Sequence, residues 1–197
     1  MTRRPVLVVD LGAQYAKLIA RRVRECHVYS EVVAHTLTAA EVAAKRPAGI
    51  ILSGGPASVY EPGSPDVDPG IFDLGVPVFG ICYGNQIMAH ALGGTVERGR
   101  EKEIGWYEIV TDVPEIIAPG PWFEWHSDVV TVPGGATELA RTAVGPQAWR
   151  MGRSFCTQFH PEVSEAIVRR WVEGGGDGPA RDRLGGADTM AGLVEAG

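Results

Sequence analysis

Residues 76–84 have the sequence VPVFGICYG, in which Cys82 separates an apolar run from the start of a helical pattern. The run at 76–81 lacks alternation, as is typical of a strand buried on both faces of a parallel sheet. The pattern at 85–92 is helical and stops at two glycines, which commonly end helices. Glycines on both sides of Cys82 permit a tight turn that a Cβ atom would obstruct. The segment therefore predicts a strand, a sharp turn that carries Cys82, and a helix, as in a nucleophile elbow.

The first half of the chain repeats this alternation of strands and helices. A capping box formed by Thr38 and Glu41 indicates where one helix begins. The other predicted elements are strands at 6–9, 28–33 and 49–52 and a helix at 14–26. Alternating strands and helices favour right-handed crossovers and an α/β layered fold.

The second half changes to strands separated by turn residues, which predicts a small antiparallel section. The elements predicted there are strands at 104–110, 129–132 and 155–159 and a last helix at 164–173. Residues 174–197 are rich in glycine, and we expect them to form a mobile tail. The sequence thus predicts one domain at 1–173 followed by this tail.

Composition and charge exclude several classes of function. The 197 residues carry a net charge of −6 at pH 7, which argues against general affinity for nucleic acid or anionic membranes. Asp10 interrupts the first apolar stretch, so we interpret that stretch as a strand and not as a leader segment. No apolar run approaches the roughly 18 to 20 residues of a membrane span.

The three cysteines, Cys26, Cys82 and Cys156, cannot all pair with one another and lack the spacing of metal ligands. Reduced thiols in the cytoplasm are the simplest interpretation. We expect Cys26 and Cys156 to be structural residues, and we expect no metal site.

Cys82 can be interpreted either as a buried core residue or as a nucleophile. Lone cysteines are most often small core residues. At the start of a helix, however, unpaired N–H groups and the helix dipole stabilise a thiolate. His160 and Glu162 favour the nucleophile, because residues two apart at a strand end project to the same side. Glu162 can then orient the imidazole of His160, which can accept a proton from the thiol.

The loop after the strand at 49–52 is a candidate oxyanion site. Its SGGP sequence places Gly54 and Gly55 where a backbone N–H can point at a developing negative charge, with the N–H of Tyr83 as second donor. Pro56 has no N–H, so Gly55 is the expected donor. Taken alone, the segment is equally consistent with an ordinary tight turn.

Three blocks together resemble the class I glutamine amidotransferases, the type with a Cys-His-Glu triad. The blocks are LSGGP at 52–56, GICYGNQ at 80–86 and TQFHPEV at 157–163, and the match extends over residues 5–173. The resemblance implies a three-layer flavodoxin-like fold with a central, mostly parallel sheet and helices on both faces. It also implies that Cys82 attacks the side-chain amide of L-glutamine, and that hydrolysis of the γ-glutamyl thioester follows.

The family pattern also implies a role for each residue of the site. Catalytic roles fall to Cys82, His160 and Glu162, oxyanion donation to Gly55 and Tyr83, and glutamine contacts to Gly54, Gln86, His126, Ser127 and Asp128. Asn85 and Trp125 depart from the family pattern. The resemblance implies no cofactor.

Within the family, the segments VVDLGAQY at 8–15 and LIARRVR at 18–24 resemble the amidotransferase domain of GMP synthase most strongly. The segment PQAWR at 146–150 is more similar to small stand-alone amidotransferases of bacteria. The resemblance implies a separate synthetase subunit that activates an acceptor, either xanthosine monophosphate or a specialised metabolite, and receives the ammonia. The SGGPAS loop at 53–58 lacks the Asp of a pyrophosphatase phosphate loop, and we expect no nucleotide binding.

Two other functions remain consistent with these residues. A γ-glutamyl hydrolase or cysteine peptidase would use the same Cys-His pair without a partner, and a non-catalytic glutamine-binding protein would keep only the pocket. Gln86 and the segment at 126–128 favour glutamine as substrate, and the complete triad argues against a non-catalytic protein. The charged run at 97–103 is a candidate docking surface, although most such runs are solvated loops.

Overall fold

A computed structural model of the chain describes residues 4–12 and 15–173, so the predicted tail at 174–197 lies outside the described residues. The described part forms nine strands and four α-helices. The strands are β1 (Val6–Asp10), β2 (Ser30–Ala34), β3 (Gly49–Leu52), β4 (Val78–Ile81), β5 (Thr95–Thr111), β6 (Gly120–Thr131), β7 (Thr137–Arg141), β8 (Pro146–Met151) and β9 (Ser154–Thr157). The helices are α1 (Ala16–Glu25), α2 (Ala39–Ala44), α3 (Tyr83–Ala91) and α4 (Glu165–Glu173), and a short 3-10 helix spans Pro69–Asp73.

The nine strands form one sheet in the order β2-β1-β3-β4-β9-β8-β7-β5-β6. The first five strands of this order are parallel, and the remaining pairings are antiparallel. The predicted α/β class, with a parallel sheet and an antiparallel section in the second half, is confirmed. Because β3, β4 and β9 are parallel neighbours, the segments that follow them emerge at the same edge of the sheet.

Helices cover both faces of the parallel strands, which gives the three predicted layers. Val8 faces α1 and packs in one cluster with Ile19. Leu7 and Val9 project to the opposite face and pack in a larger cluster, which includes residues of α2 and α3. This division follows from the two-residue period of a strand, in which neighbouring side chains point to opposite faces. Strand β1 is therefore buried on both faces, as its continuous apolar sequence predicts.

Local signals placed the start of one helix correctly and the start of another two residues too late. The Thr38 hydroxyl accepts from the N–H of Glu41 and the Glu41 carboxylate accepts from the N–H of Thr38, so the predicted capping box at α2 is confirmed. Helix α3 begins at Tyr83, two residues before the predicted start, because the turn at Cys82 leads directly into it.

The antiparallel section is larger than the sequence predicts. Strands β7 and β8, with the sequences TELAR and PQAWRM, escaped prediction because neither shows an alternating or continuous apolar pattern. The charged run at 97–103 belongs to β5, so its interpretation as a solvated loop is wrong. The pairing of β5 with β6 shifts register between Arg98 and Glu103, and β5 continues on both sides of this irregularity.

No helix in the part of the chain that the structure describes combines the length and apolar character needed to cross a membrane.

Candidate active site

Cys82 occupies the turn between β4 and α3, with φ 50° and ψ −103°. A positive φ is unfavourable for a residue with a side chain, and it is held here by the packing around the turn. The N–H of Cys82 donates to the carbonyl of Thr157 at 2.8 Å. A Cβ atom on Gly80 would lie 2.7 Å from the carbonyl oxygen of Gly84, so a side chain there would obstruct the turn. The sequence around Cys82 thus builds the sharp elbow that its glycines predict.

His160 and Glu162 form a buried pair just after β9. Nδ1 of His160 lies 2.9 Å from Oε1 of Glu162, and both side chains are almost completely buried. The N–H of His160 donates to the carbonyl of Phe123 at 2.9 Å, which fixes the backbone against β6. With Nδ1 engaged by the carboxylate, Nε2 is the nitrogen left to exchange protons.

The electrostatics around His160 favour an imidazolium. Burial by itself disfavours the charged form, but the carboxylate of Glu162 and the negative form of Cys82 outweigh it, so the pKa of His160 lies well above its usual range. An imidazolium beside a thiolate is the charge distribution expected of a Cys-His nucleophile pair.

The loop after β3 approaches both of these side chains. A Cβ atom on Gly54 would lie 3.2 Å from Cε1 of His160 and 3.7 Å from Cβ of Cys82. Three segments, those that follow β3, β4 and β9, therefore meet at one point on the sheet edge. Glycine at position 54 leaves the space in front of the thiol open.

Gly55 lies against the start of α3. A Cβ atom on Gly55 would lie 2.7 Å from the carbonyl oxygen of Leu11 and 3.0 Å from Cδ1 of Tyr83. The loop is fixed on its other side, where the N–H of Gly84 donates to the carbonyl of Ser53 at 3.1 Å. Gly55 is thus packed against the ring of Tyr83 at the start of α3, and the N–H groups of these two residues stay the predicted oxyanion donors.

Gln86 lies one helical turn after Cys82, and its N–H donates to the carbonyl of Cys82 at 3.1 Å. Its side chain is buried. Within the described ranges, no hydrogen-bond donor reaches its amide oxygen. A buried acceptor without a donor is uncommon in folded proteins and is a candidate position for a ligand.

The segment at 126–128 lies on β6, where the side chains of His126 and Asp128 are already engaged. Nδ1 of His126 lies 3.0 Å from the carbonyl oxygen of Asp128. The Asp128 carboxylate accepts hydrogen bonds from the hydroxyls of Ser58 and Tyr60, which holds the loop after β3 against the hairpin. The hydroxyl of Ser127 and the backbone of this segment remain available to a substrate carboxylate.

Sequence reasoning missed a buried charged cluster behind this segment. Nε2 of His126 lies 3.0 Å from Oε2 of Glu103 and 3.4 Å from Oε2 of Glu124. The amide of Gln147 donates to Oε2 of Glu103 at 2.6 Å. Burial disfavours a charge on His126, but the two carboxylates outweigh this effect and raise the pKa of His126 to about 10. Burial raises the pKa of Glu124.

Glu103 escaped detection because it ends a run of exposed charges that is typical of a loop. The strand β5 buries Glu103, Gly105 and Ile109, which share one face by the two-residue period. If the strand had been predicted to begin at Thr95, this alternation would have identified Glu103 as an inward-facing carboxylate.

Sequence reasoning also missed a hydrogen-bonded chain of side chains that reaches the thiol from the sheet. It consists of Trp149, Asn85 and Gln158, and the amide nitrogen of Gln158 lies 3.6 Å from Sγ of Cys82. On another side, the carbonyl oxygen of Trp125 lies 3.8 Å from the same sulfur. Asn85 and Trp125, the two departures from the family pattern, therefore both belong to the surroundings of Cys82.

The other cysteines lie in different environments. Cys26 is an exposed residue at the end of α1, and Cys156 is completely buried in β9. Burial raises the pKa of Cys156 well above its usual range, which disfavours a reactive thiolate.

Comparison with known proteins agrees with this geometry. The family model for class I glutamine amidotransferases matches residues 7–167. A GMP synthase [glutamine-hydrolyzing] of Nocardia farcinica is 54% identical over 170 residues, which cover 82% of this chain and 32% of that protein. The chain thus spans about one third of the length of the curated relatives that it matches.

Solved structures show the same fold. A GMP synthase component from Thermoplasma acidophilum has a TM-score of 0.73 and 26% identity, covering 83% of this chain and 87% of its own. A glutamine amidotransferase from Thermotoga maritima has a TM-score of 0.71 and 22% identity, covering 100% of this chain and 90% of its own. Together with the family match over most of the chain, these findings confirm the family that the three sequence blocks predict: the chain belongs to the class I glutamine amidotransferases.

Proposed function

We propose that this chain is the glutamine-hydrolysing component of a GMP-synthase-type amidotransferase, with Cys82 as nucleophile. The observation that carries the proposal is the meeting of Cys82, His160 and Gly54 at the carboxyl ends of β4, β9 and β3. Open α/β sheets characteristically bind ligands at this edge. A thiol, an imidazole with its carboxylate, and a glycine loop are the parts that acyl transfer to cysteine requires.

In the first half of the reaction, the thiolate of Cys82 attacks the side-chain carbonyl carbon of L-glutamine. A carbon–sulfur bond forms, and the N–H groups of Gly55 and Tyr83 stabilise the oxyanion. Nε2 of His160 donates its proton to the departing nitrogen, so the carbon–nitrogen bond breaks and ammonia leaves. The product on the enzyme is a γ-glutamyl thioester.

In the second half, His160 acts as a base. It takes a proton from a water molecule, whose oxygen attacks the thioester carbon, and the same oxyanion donors stabilise the second intermediate. The carbon–sulfur bond then breaks, which releases glutamate and restores the thiolate. Glu162 stabilises the imidazolium, since it holds Nδ1 at 2.9 Å.

Binding of the α-ammonium and α-carboxylate groups of glutamine is assigned to Gln86 and to the backbone at 126–128. The free amide oxygen of Gln86 can accept a hydrogen bond from the α-ammonium group of the substrate. Backbone N–H groups at 126–128 can donate to its α-carboxylate, because the side chains of His126 and Asp128 are engaged elsewhere.

The ammonia is delivered to a partner synthetase that activates an acceptor. The name of the Nocardia farcinica relative pairs glutamine hydrolysis with GMP synthesis, and two thirds of that protein lie outside the match. The acceptor is xanthosine monophosphate or a specialised metabolite. We expect no nucleotide to bind to this chain, because Pro56 and Ala57 interrupt the pattern of a pyrophosphatase phosphate loop.

The test is labelling by a diazoketone analogue of glutamine, read by intact mass and peptide mapping. We expect one adduct, on Cys82, that excess L-glutamine prevents and that Cys82→Ala abolishes. The exposed Cys26 serves as an internal control, because a generic alkylator labels it and glutamine does not protect it.

Labelling of Cys82 that glutamine does not prevent would overturn the glutamine pocket and favour a γ-glutamyl hydrolase or peptidase. Such an enzyme would cleave γ-glutamyl amides with large leaving groups at full rate without a partner. Absence of any reaction at Cys82 would favour a non-catalytic glutamine-binding protein.

A further inference from the structure

Four buried residues form a continuous chain of hydrogen bonds that ends on the proposed nucleophile. Nε1 of Trp149 in β8 donates to Oδ1 of Asn85 in α3 at 2.7 Å. Nδ2 of Asn85 donates to Oε1 of Gln158 at 2.9 Å. Nε2 of Gln158 donates to Sγ of Cys82 at 3.6 Å, within the range of hydrogen bonds to sulfur.

The first member sets the direction of the whole chain. An indole N–H can only donate, so the atom of Asn85 that faces Trp149 must be the amide oxygen. The amide nitrogen of Asn85 therefore faces Gln158, which must present its own oxygen in return. The amide nitrogen of Gln158 is then the group that remains to face the sulfur.

Burial keeps the side-chain amides of Asn85 and Gln158 in these orientations. Trp149, Asn85 and Gln158 are each no more than 1% exposed, and Cys82 is 5% exposed. A rotated amide would place oxygen against oxygen and nitrogen against nitrogen, in a region with little access to water. Unsatisfied buried polar groups are costly, so both amides are confined to one orientation.

We propose that Trp149, Asn85 and Gln158 form a donor relay that keeps an N–H group on the sulfur of Cys82 and thereby stabilises its thiolate. The proposal rests on the proposed role of Cys82 as nucleophile. Gln158 touches the reacting atom and is a catalytic residue in that sense, whereas Asn85 and Trp149 are positioning residues. A hydrogen bond to the charged form of a group favours that form.

Titratable and charged groups also surround the sulfur of Cys82, and none of them belongs to the relay. His160, after β9, and His126, on the β5–β6 hairpin, interact with Cys82. Glu162 pairs with His160, and Glu103 and Glu124 pair with His126. On the side of α1, Tyr15 and Arg22 interact with Glu162. Because the relay is neutral, its removal changes the stability of the thiolate without removing any of these charges.

The test measures the rate at which iodoacetamide alkylates Cys82 as a function of pH, by peptide mapping in a Cys26→Ser background. Alkylation requires the thiolate, so the midpoint of the profile reports the ionisation of Cys82. In Gln158→Met, which nearly keeps the shape of the side chain, adds no charge and removes the N–H group from the sulfur, we expect the midpoint to rise by about one to two pH units.

Trp149→Phe tests the positioning role, because it removes the N–H and retains a ring. We expect its midpoint to move in the same direction by a smaller amount. The matched control is Trp106→Phe, since Nε1 of Trp106 is buried without a partner among the described residues and lies outside the relay. Thermal unfolding of each variant shows whether it is folded.

An unchanged midpoint in folded Gln158→Met and Trp149→Phe variants would overturn the relay. If Gln158→Met does not fold, the Trp149→Phe profile alone tests the relay. Neither measurement depends on glutamine turnover. The proposed function, by contrast, stands or falls on the protection of Cys82 by glutamine, so the two failures are distinguishable.

Discussion

Glu103 and His126 are direct cross-strand partners in the β5–β6 hairpin, and their side chains meet at 3.0 Å with almost no exposure. Cross-strand pairs on one face are the contacts that fix the register of an antiparallel hairpin. Here the pair is ionisable and buried, and it lies directly behind the segment that contacts Cys82 through the Trp125 carbonyl. The stability of the site should therefore depend on the protonation of His126.

The first prediction concerns pH and the free energy of unfolding. The folded pKa of His126, about 10, lies above its ordinary value of 6.5, so the folded protein holds a proton that the unfolded chain releases. This stabilisation is complete below pH 6.5 and is lost as the pH rises through about 10. Glu103→Gln should destabilise the protein by about 3 kcal/mol at pH 7. The difference in unfolding free energy between Glu103→Gln and the native protein should become smaller as the pH approaches 10.

Urea unfolding of both proteins at several pH values between 6 and 10 measures this deficit. Asp112→Asn is the control, because it removes an ion pair with Arg141 that is exposed to solvent. It should leave both the stability and its pH dependence nearly unchanged. A deficit for Glu103→Gln that stays constant over this pH range would show that His126 is not the group responsible.

The second prediction concerns the carboxylate that holds His160. Glu162→Gln keeps the size of the side chain but removes the charge that stabilises the imidazolium. We expect glutamine hydrolysis to fall by about 10²- to 10⁴-fold, the range for loss of general acid–base catalysis. The measurement is the ammonia released per enzyme, with Cys82→Ala as the zero of activity. Glu165→Gln, an exposed carboxylate paired with Arg169, should retain full activity.

The third prediction concerns the glycine loop. Gly55→Ala brings a Cβ atom to 2.7 Å from the Leu11 carbonyl oxygen, a backbone atom that cannot move aside easily. The loop must shift, which displaces the proposed oxyanion donor and should lower kcat by about 10²-fold. Alkylation of Cys82 by iodoacetamide should persist, because the thiol itself is untouched.

Gly134→Ala is the matched control, since a Cβ atom there meets no atom within 4 Å. Equal activity in the two alanine variants would contradict the role assigned to the Gly55 N–H. Loss of both activity and alkylation in Gly55→Ala would indicate a general collapse of the site.

The fourth prediction concerns how the three cysteines differ in their reactivity with iodoacetamide. In the folded protein, iodoacetamide should label Cys26, which is exposed, and Cys82, but should leave Cys156 unlabelled. Burial raises the pKa of Cys156 and also excludes the reagent. In concentrated urea all three should react. Peptide mapping measures the labelling of each cysteine. Rapid labelling of Cys156 without denaturant would show that Cys82 has been wrongly assigned as the reactive thiol.

Local sequence was sufficient for the elements that carry short-range signals. The glycines around Cys82 predict the elbow because only a tight turn connects a buried strand to a helix so abruptly. The capping box at Thr38 and Glu41 and the continuous apolar run of β1 are likewise local, and the structure has both. The family also followed from sequence, since its three blocks keep a fixed order along the chain.

The tertiary structure decided which distant side chains share a contact. Glu103 meets His126 across 23 residues, and Asn85 meets Trp149 across 64 and Gln158 across 73. Strand β8, which supplies Trp149, lacks a pattern of its own and is held by pairing with β7 and β9. A sequence pattern reports which face of its own element a residue occupies. The contact between two faces depends on register and packing, and those are settled only when the strands and helices assemble.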